Sequence, residues 1–403
     1  MRSADPEYEF GLANAGFEGY KSKTERYLRM RRALIACGGT GGHLAPGIAL
    51  AEELVSRGWI CELLISKKQV DAQLVKKYEH FEYDTIPGCA MSFSPIRFAR
   101  FARDLFLGVR LCSRKIRVTR PDAIIGFGGF SSASALLAGA LMKVPVAIHE
   151  ANRIPGRVTR LASRFANRLY LPVGIELKSA RPGRTFHVGM PIRSEIKKWA
   201  RDEAKRRLGF DPARKLLLVF GGSQGARSLN EWVENSMESL ARESIQTLCL
   251  TGNKVAKTAE RTNASKTGES VRSLIQGFSD QMALLLSAAD LAVSRSGAGS
   301  IAEIIRCRTP SVLIPYPYAA DNHQYFNARQ LVDDGGGLML SHESMDRLLQ
   351  TVLETIADDT LMSRFELRLE TMDRMKAQAM IADDLEAMLN SFNADLKQEV
   401  ALS

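Results

Sequence analysis

The chain has 403 residues, 45% of them apolar and 25% charged, enough for about two or three domains with their own cores, which excludes disorder as its main state. Lysine and arginine number 55 against 45 acids, a formal net charge of +10, so an anionic partner is expected: nucleic acid, nucleotide or acidic lipid. The six cysteines lie far apart with no Cys-x-x-Cys pair, which excludes a disulfide-dense framework and a zinc site of the usual spacing and predicts reduced, buried thiols in a cytosolic setting.

Residues 1–29 contain Asp5, Glu7, Glu9, Glu18 and Glu25 and no apolar run of the kind a secretory signal needs. They read as a disordered extension, and Met30-Arg31-Arg32 leading into an apolar strand reads as the natural start. No segment supplies the ~18 uncharged apolar residues of a membrane-spanning helix; the closest, Ala133 to Ile148, is broken by Lys143 and Pro145. Strands are predicted at Ala33–Cys37, Ile60–Ile65, Ala123–Phe127 and Val144–His149, with helices at Pro46–Arg57 and Ser131–Met142 between them. This alternation is the signature of β-α-β units and a parallel sheet. The pattern lapses around Ala180–Arg184. A second set then begins with a charged helix over Ser194–Leu208 and strands at Lys215–Phe220, Ile245–Thr251, Leu291–Ser294 and Ser311–Pro315. The fold class is therefore α/β in two similar halves, divided near Pro191–Ser194. From about Asp346 only helices are expected, including a long amphipathic run through Met372–Leu396.

Three strands run directly into glycine-rich turns that open helices: Gly38-Gly39-Thr40-Gly41-Gly42-His43, Gly221-Gly222-Ser223-Gln224-Gly225-Ala226-Arg227 and Ser296-Gly297-Ala298-Gly299-Ser300. Such turns let backbone N–H groups approach a phosphate while the helix dipole adds positive potential. Neither the Rossmann G-x-G-x-x-G nor the Walker A pattern fits them. His43 follows the first turn, where an imidazole with an ordinary pKa near ~6.5 suits proton transfer. His149-Glu150-Ala151-Asn152 ends a strand on the same edge. Glu303 lies just beyond the third turn, and its carboxylate can accept both hydrogen bonds of a ribose diol. Arg193, at the domain boundary, suits a diphosphate. Asp321-Asn322-His323-Gln324 offers groups suited to sugar hydroxyls.

Together these motifs, with Arg295-Ser296-Gly297-Ala298 and Asn327-Ala328, resemble the MurG family, the peptidoglycan N-acetylglucosaminyltransferases of glycosyltransferase family 28, over residues 31 to about 345. The resemblance implies a GT-B fold: two Rossmann-like domains with parallel sheets facing a cleft. It assigns residues 30–192 to an acceptor-binding domain and residues 193–374 to a UDP-sugar-binding domain, with a terminal helix from about residue 375 to 403 returning to the first. It implies an inverting transfer of N-acetylglucosamine from UDP-N-acetylglucosamine to undecaprenyl-diphospho-muramyl-pentapeptide, with His43 as base. Donor contacts are implied at Thr40, Gly41, Gly42, Asn152, Arg193, Ser223, Ser279, Ala298, Gly299, Ser300, Ile301, Ala302, Glu303 and Gln324. No cofactor or metal is implied, since the chain has no Asp-x-Asp pattern, and no nucleic acid is expected as partner. Phe130, Ala151 and Met190 depart from the family pattern, where tyrosine, glutamine and asparagine are usual. A glycosyltransferase for another glycolipid or natural product, a non-enzymatic nucleotide-sugar binder and a UDP-hexose epimerase of the same fold are the alternatives. Finally, Met91–Arg120 sets eight basic residues against the single acid Asp104 and interleaves them with Phe93, Phe101, Phe106, Leu107 and Leu111. That mixture suits the surface of an anionic membrane, implying a peripheral protein on the cytoplasmic face.

Overall fold

A computed structural model describes residues 30–38, 41–66, 77–86, 95–222, 225–252, 258–373 and 376–402. The expected N-terminal extension, Thr40, Ser223, Cys89 and Phe93 lie outside the described residues. The described residues form two seven-stranded sheets. The first takes β1 (Arg32–Ala36), β2 (Ile60–Ser66), β3 (Glu82–Ile86), β4 (Ala123–Gly126), β5 (Val146–His149), β6 (Arg168–Leu171) and β7 (Thr185–His187) in the order β3-β2-β1-β4-β5-β6-β7, all parallel. The second takes β8 (Leu216–Phe220), β9 (Gln246–Leu250), β10 (Ala259–Ala264), β11 (Ser270–Gln276), β12 (Leu291–Ser294), β13 (Ser311–Leu313) and β14 (Gly337–Met339) in the order β10-β11-β9-β8-β12-β13-β14. Among the described residues only the edge pair β10 and β11 is antiparallel. Both sheets are Rossmann-like.

The central strands are continuous apolar runs because helices cover both faces of each sheet. Leu34 and Ile35 of β1, Ile124 and Ile125 of β4 and Leu217 and Leu218 of β8 are fully buried. The covering helices are α1 (Gly41–Ser56), α2 (Pro95–Thr119), α3 (Gly129–Leu141) and α4 (Arg157–Ala162), then α5 (Arg201–Arg207), α6 (Arg227–Arg242), α7 (Met282–Ala288), α8 (Ala298–Cys307) and α9 (His323–Asp333). Three further helices, α10 (Leu348–Ala357), α11 (Asp359–Met372) and α12 (Ala377–Leu402), complete the chain. The helix expected over Ser194–Leu208 is confined to α5. Its first seven residues form a turn at Ser194-Glu195, closed by Ile196 N donating to Arg193 O at 3.0 Å, and then a non-helical stretch, with Ser194 N donating to Glu52 Oε2 at 2.8 Å and Trp199 N to Ser287 Oγ at 3.0 Å.

The last helix returns to the first sheet. Ile381, Leu385 and Leu389 of α12 join the core under α1. On the flank, Asp384 accepts from Arg168 Nε at 2.9 Å and from Tyr170 Oη at 2.8 Å, while Glu386 accepts from Trp59 Nε1 at 3.2 Å. The five described cysteines are all buried, and burial pushes the thiols of Cys61, Cys112, Cys249 and Cys307 up to about 12. They are packing groups and not nucleophiles.

Candidate active site where the two sheets meet

In an open parallel sheet, ligands bind outside the carboxyl ends of the strands at the point where the strand order reverses. In the first sheet that point lies between β1 and β4, and in the second between β8 and β12. Each of these four strands ends in one of the glycine-rich turns, or in Gly126-Phe127-Gly128-Gly129. The two crevices meet. Arg153 N donates to Asn327 Oδ1 at 2.9 Å, and Asn327 Nδ2 donates to Asn152 Oδ1 at 3.1 Å and Ser296 O at 3.3 Å. One buried amide thus joins the turn after β5 to the turn after β12.

His43 lies in the first turn of α1. Its ring rests on the turn after β4: a Cβ on Gly128 would stand 3.3 Å from His43 Nε2, and one on Gly129 3.2 Å from Nδ1. Both glycines have positive φ, 83° and 71°, a conformation that L side chains resist. The glycine pair therefore supplies both the bend and the room for the imidazole. Gly42 and Gly41 open α1 beside it. At the second turn, Gly225 (φ 71°) approaches Thr251 O so closely that a Cβ would stand 2.0 Å from it. Arg295 binds the second and third turns together, donating from Nη1 to the Ile314 and Pro315 carbonyls at 3.1 Å and from Nη2 to Ser228 Oγ at 2.8 Å.

Arg193 and Glu303, 110 positions apart in sequence, form an ion pair with Nη2 and Oε1 at 3.1 Å. The Arg193 side chain is only 9% exposed. Burial alone would lower its pKa, but Glu303, Tyr78 and Glu195 outweigh that and hold it charged. Burial raises the Glu303 pKa, and Arg193 pulls it back. Ala298, Gly299, Ser300, Ile301 and Ala302 form the first turns of α8 leading to Glu303, so its dipole points at the same place. Met190 reaches this turn as well: its Cε lies 3.5 Å from where a Cβ on Gly299 would stand.

Other site residues are more committed to the fold than the sequence suggests. Gln324 Oε1 accepts from Tyr316 N at 2.9 Å, and Ser279 Oγ from Gln281 N at 3.1 Å. Asp321 pairs with Arg160 of the first domain at 2.8 Å. Glu150, the natural second choice of base after His43, is a structural group: its carboxylate accepts from Asn152 N and Nδ2, both at 3.0 Å, Gly156 N at 2.8 Å and Thr159 Oγ1 at 2.7 Å. His149 is buried against the Gly189 carbonyl at 3.1 Å. Burial depresses its pKa to about 4 despite that bond and the nearby Glu150 charge. Asn327, present in the sequence only as part of a motif, is a buried group that joins the domains. Among the described residues no cluster of three His, Cys, Asp or Glu side chains is placed to hold a metal ion.

Residues 33–171 match the N-terminal domain of glycosyltransferase family 28, and residues 216–385 match its C-terminal domain. A protein of Opitutus terrae, named UDP-N-acetylglucosamine–N-acetylmuramyl-(pentapeptide) pyrophosphoryl-undecaprenol N-acetylglucosamine transferase, is 46% identical over 91% of this chain and 97% of its own length. A protein of the same name from Parasynechococcus marenigrum is 35% identical over 90% of this chain and 100% of its own. Among solved structures, MurG of Acinetobacter baumannii superposes with a TM-score of 0.67 at 21% identity, covering 89% of this chain and 99% of that one. The glycosyltransferase of kitacinnamycin gives 0.67 at 18%, covering 90% and 100%. These two likenesses establish the two-domain GT-B fold.

Proposed function

The chain belongs to glycosyltransferase family 28, and on that premise we propose that it transfers N-acetylglucosamine from UDP-N-acetylglucosamine to the lipid-linked muramyl-pentapeptide, making lipid II for peptidoglycan. The observation that carries this conclusion is the meeting of the two crevices, with His43 on the first and the Arg193–Glu303 pair on the second. The donor would lie along the second sheet, its ribose on Glu303, its diphosphate between Arg193 and the N-termini of α6 and α8. Thr40, Gly41, Gly42, Asn152, Ser223, Ser279, Ala298 to Ala302 and Gln324 complete the donor contacts.

The acceptor's C4 hydroxyl attacks the anomeric carbon from the face opposite UDP, so the configuration inverts. His43 takes the hydroxyl proton, a contribution of typically ~10²–10⁴-fold. Negative charge develops on the departing UDP, and Arg193 with the backbone N–H groups of the glycine turns stabilises it without having to reorient.

The acceptor is borne by a lipid, and we place the protein at the cytoplasmic face of the membrane as a peripheral protein. No described helix is long and apolar enough to cross a bilayer. On α2, Arg100, Arg103, Arg110, Arg114 and Arg117 are exposed beside Phe106, Leu107 and Leu111, which supports contact with anionic headgroups. Other residues of this helix serve the fold: Phe101 meets the Phe130 ring edge-on at 5.6 Å, and Lys115 pairs with Glu62 and Asp84. The chemistry is tested by His43→Ala, which should cut turnover on lipid I by about two orders of magnitude while UDP affinity stays within a few-fold. Near-normal turnover would remove His43 as the base.

A further inference from the structure

We propose that Glu195 is a positioning residue for donor recognition: it keeps the Arg193 guanidinium aimed at the donor's diphosphate when Glu303 leaves that guanidinium for the ribose. This rests on the assignment of Arg193 and Glu303 to the donor site. The two acids grip one cation from different sides. Glu195 Oε1 lies 2.8 Å from Arg193 Nη1, and Glu303 Oε1 lies 3.1 Å from Nη2. A carboxylate that turns toward a ribose diol must loosen its hold on Arg193. A buried guanidinium stripped of its sole counter-ion would be costly, whereas here the second acid remains.

Glu195 is itself anchored from the other domain. Its Oε1 accepts from the buried Tyr78 hydroxyl at 3.0 Å, and its Oε2 lies 2.6 Å from Lys77 Nζ. Burial pushes the Tyr78 phenol up, so it stays protonated and donates. Lys77 Nζ also donates to the Asp280 carbonyl at 3.3 Å, next to Ser279. The segment before β3, the linker between the domains and two donor-side turns of the second domain are thus tied through one carboxylate. Lys77, Arg193, Glu195 and Glu303 sum to zero charge, so the quartet is balanced before the donor's phosphates arrive. Arg193 Nε is buried with no hydrogen-bond partner among the described residues, leaving the guanidinium with donor capacity for an anion.

Calorimetry of the full chain with UDP and with uridine tests this, because only UDP presents the diphosphate. Glu195→Ala should weaken UDP binding about tenfold, the scale of losing one charge-assisted contact, and change uridine binding less than twofold. In an Arg193→Ala background the same change should alter UDP affinity less than twofold, since the two residues act as one unit. Tyr78→Phe, which removes only the hydroxyl, should show the same UDP-selective loss at smaller size and stands in if Glu195→Ala does not fold. An equal loss for UDP and uridine, or unchanged or tighter UDP binding from removing an acid near the phosphates, would overturn the proposal. If Arg193→Ala and Glu303→Ala both leave UDP affinity unchanged, the donor-site assignment itself falls and takes the proposal with it. If those two weaken UDP and Glu195→Ala does not, the role of Glu195 alone is wrong.

Discussion

Gly129→Ala probes the link between the turn after β4 and the chemistry of His43. The residue has φ of 71°, and an added Cβ would stand 3.2 Å from both Gly38 O and His43 Nδ1. Placing alanine in that left-handed conformation costs roughly 1–2 kcal/mol of stability. The contact requires the ring or the carbonyl to give by a few tenths of an ångström. A displacement of ~1 Å at a reacting group can cost ~10²-fold in rate, so a shift of this size should lower kcat by about three- to tenfold. Donor affinity should fall by less than turnover does, because Arg193, Ser279, Glu303 and Gln324, which are proposed to hold most of the donor, are not touched by this turn. Gly58→Ala is the control: its φ is 84° and a Cβ there meets nothing within 4 Å, so it imposes the same backbone strain without touching His43. It should lose similar stability and keep full turnover. Unchanged kcat in a folded Gly129→Ala protein, or an equal fall in Gly58→Ala, would refute the reasoning.

The buried His149 gives a pH dependence with a definite sign. Its pKa is about 4 in the folded chain against 6.5 ordinarily, so between those values the unfolded chain binds a proton that the folded one refuses. Stability should fall as pH drops through this window, by a total on the order of 3 kcal/mol from this group, and His149→Gln should flatten the slope; matching slopes in urea melts at pH 4 to 7 would contradict it. Asp384→Ala removes the acceptor shared by Arg168 and the fully buried Tyr170 and should cost about 2–4 kcal/mol, discounted because Arg168 keeps some access to water. A shift below about 0.5 kcal/mol would mean that α12 is held by its apolar face alone. Binding to anionic vesicles should weaken with salt and in the triple variant Arg97→Glu, Arg100→Glu, Arg103→Glu; equal association with neutral vesicles would move the membrane contact elsewhere.

The strands that end at the site were legible because each is an apolar run stopped by glycines, which a parallel sheet covered on both faces requires. Among the strands missed, β3 and β10 are polar and β7 and β14 are very short, while β6 and β11 lack a glycine-rich turn after them. Of β3 only Ile86 is buried, every residue of β10 is at least partly exposed, and β7 has three residues; edge strands carry no continuous apolar signal. The charged run Ser194–Leu208 has helical composition, yet contacts from both domains to Ser194, Glu195 and Trp199 hold its first half out of the helix. At the site, residue types and turns were legible, and partnerships were not. Nothing local announces that Glu303 meets Arg193, that four donors occupy Glu150, or that Asn327 joins the domains, because these contacts depend on how two separately folded sheets come together.

The transfer reaction itself is the most direct test. Purified protein is incubated with UDP-N-acetylglucosamine labelled in the sugar, with and without lipid I, and the products are resolved by mass spectrometry and their anomeric configuration by NMR. The account predicts lipid II carrying a β-linked N-acetylglucosamine at C4 of the muramyl sugar, one UDP released per transfer, and no conversion of the donor without acceptor. Epimerised sugar and free UDP formed in the absence of lipid I, or transfer that ignores lipid I, would contradict it.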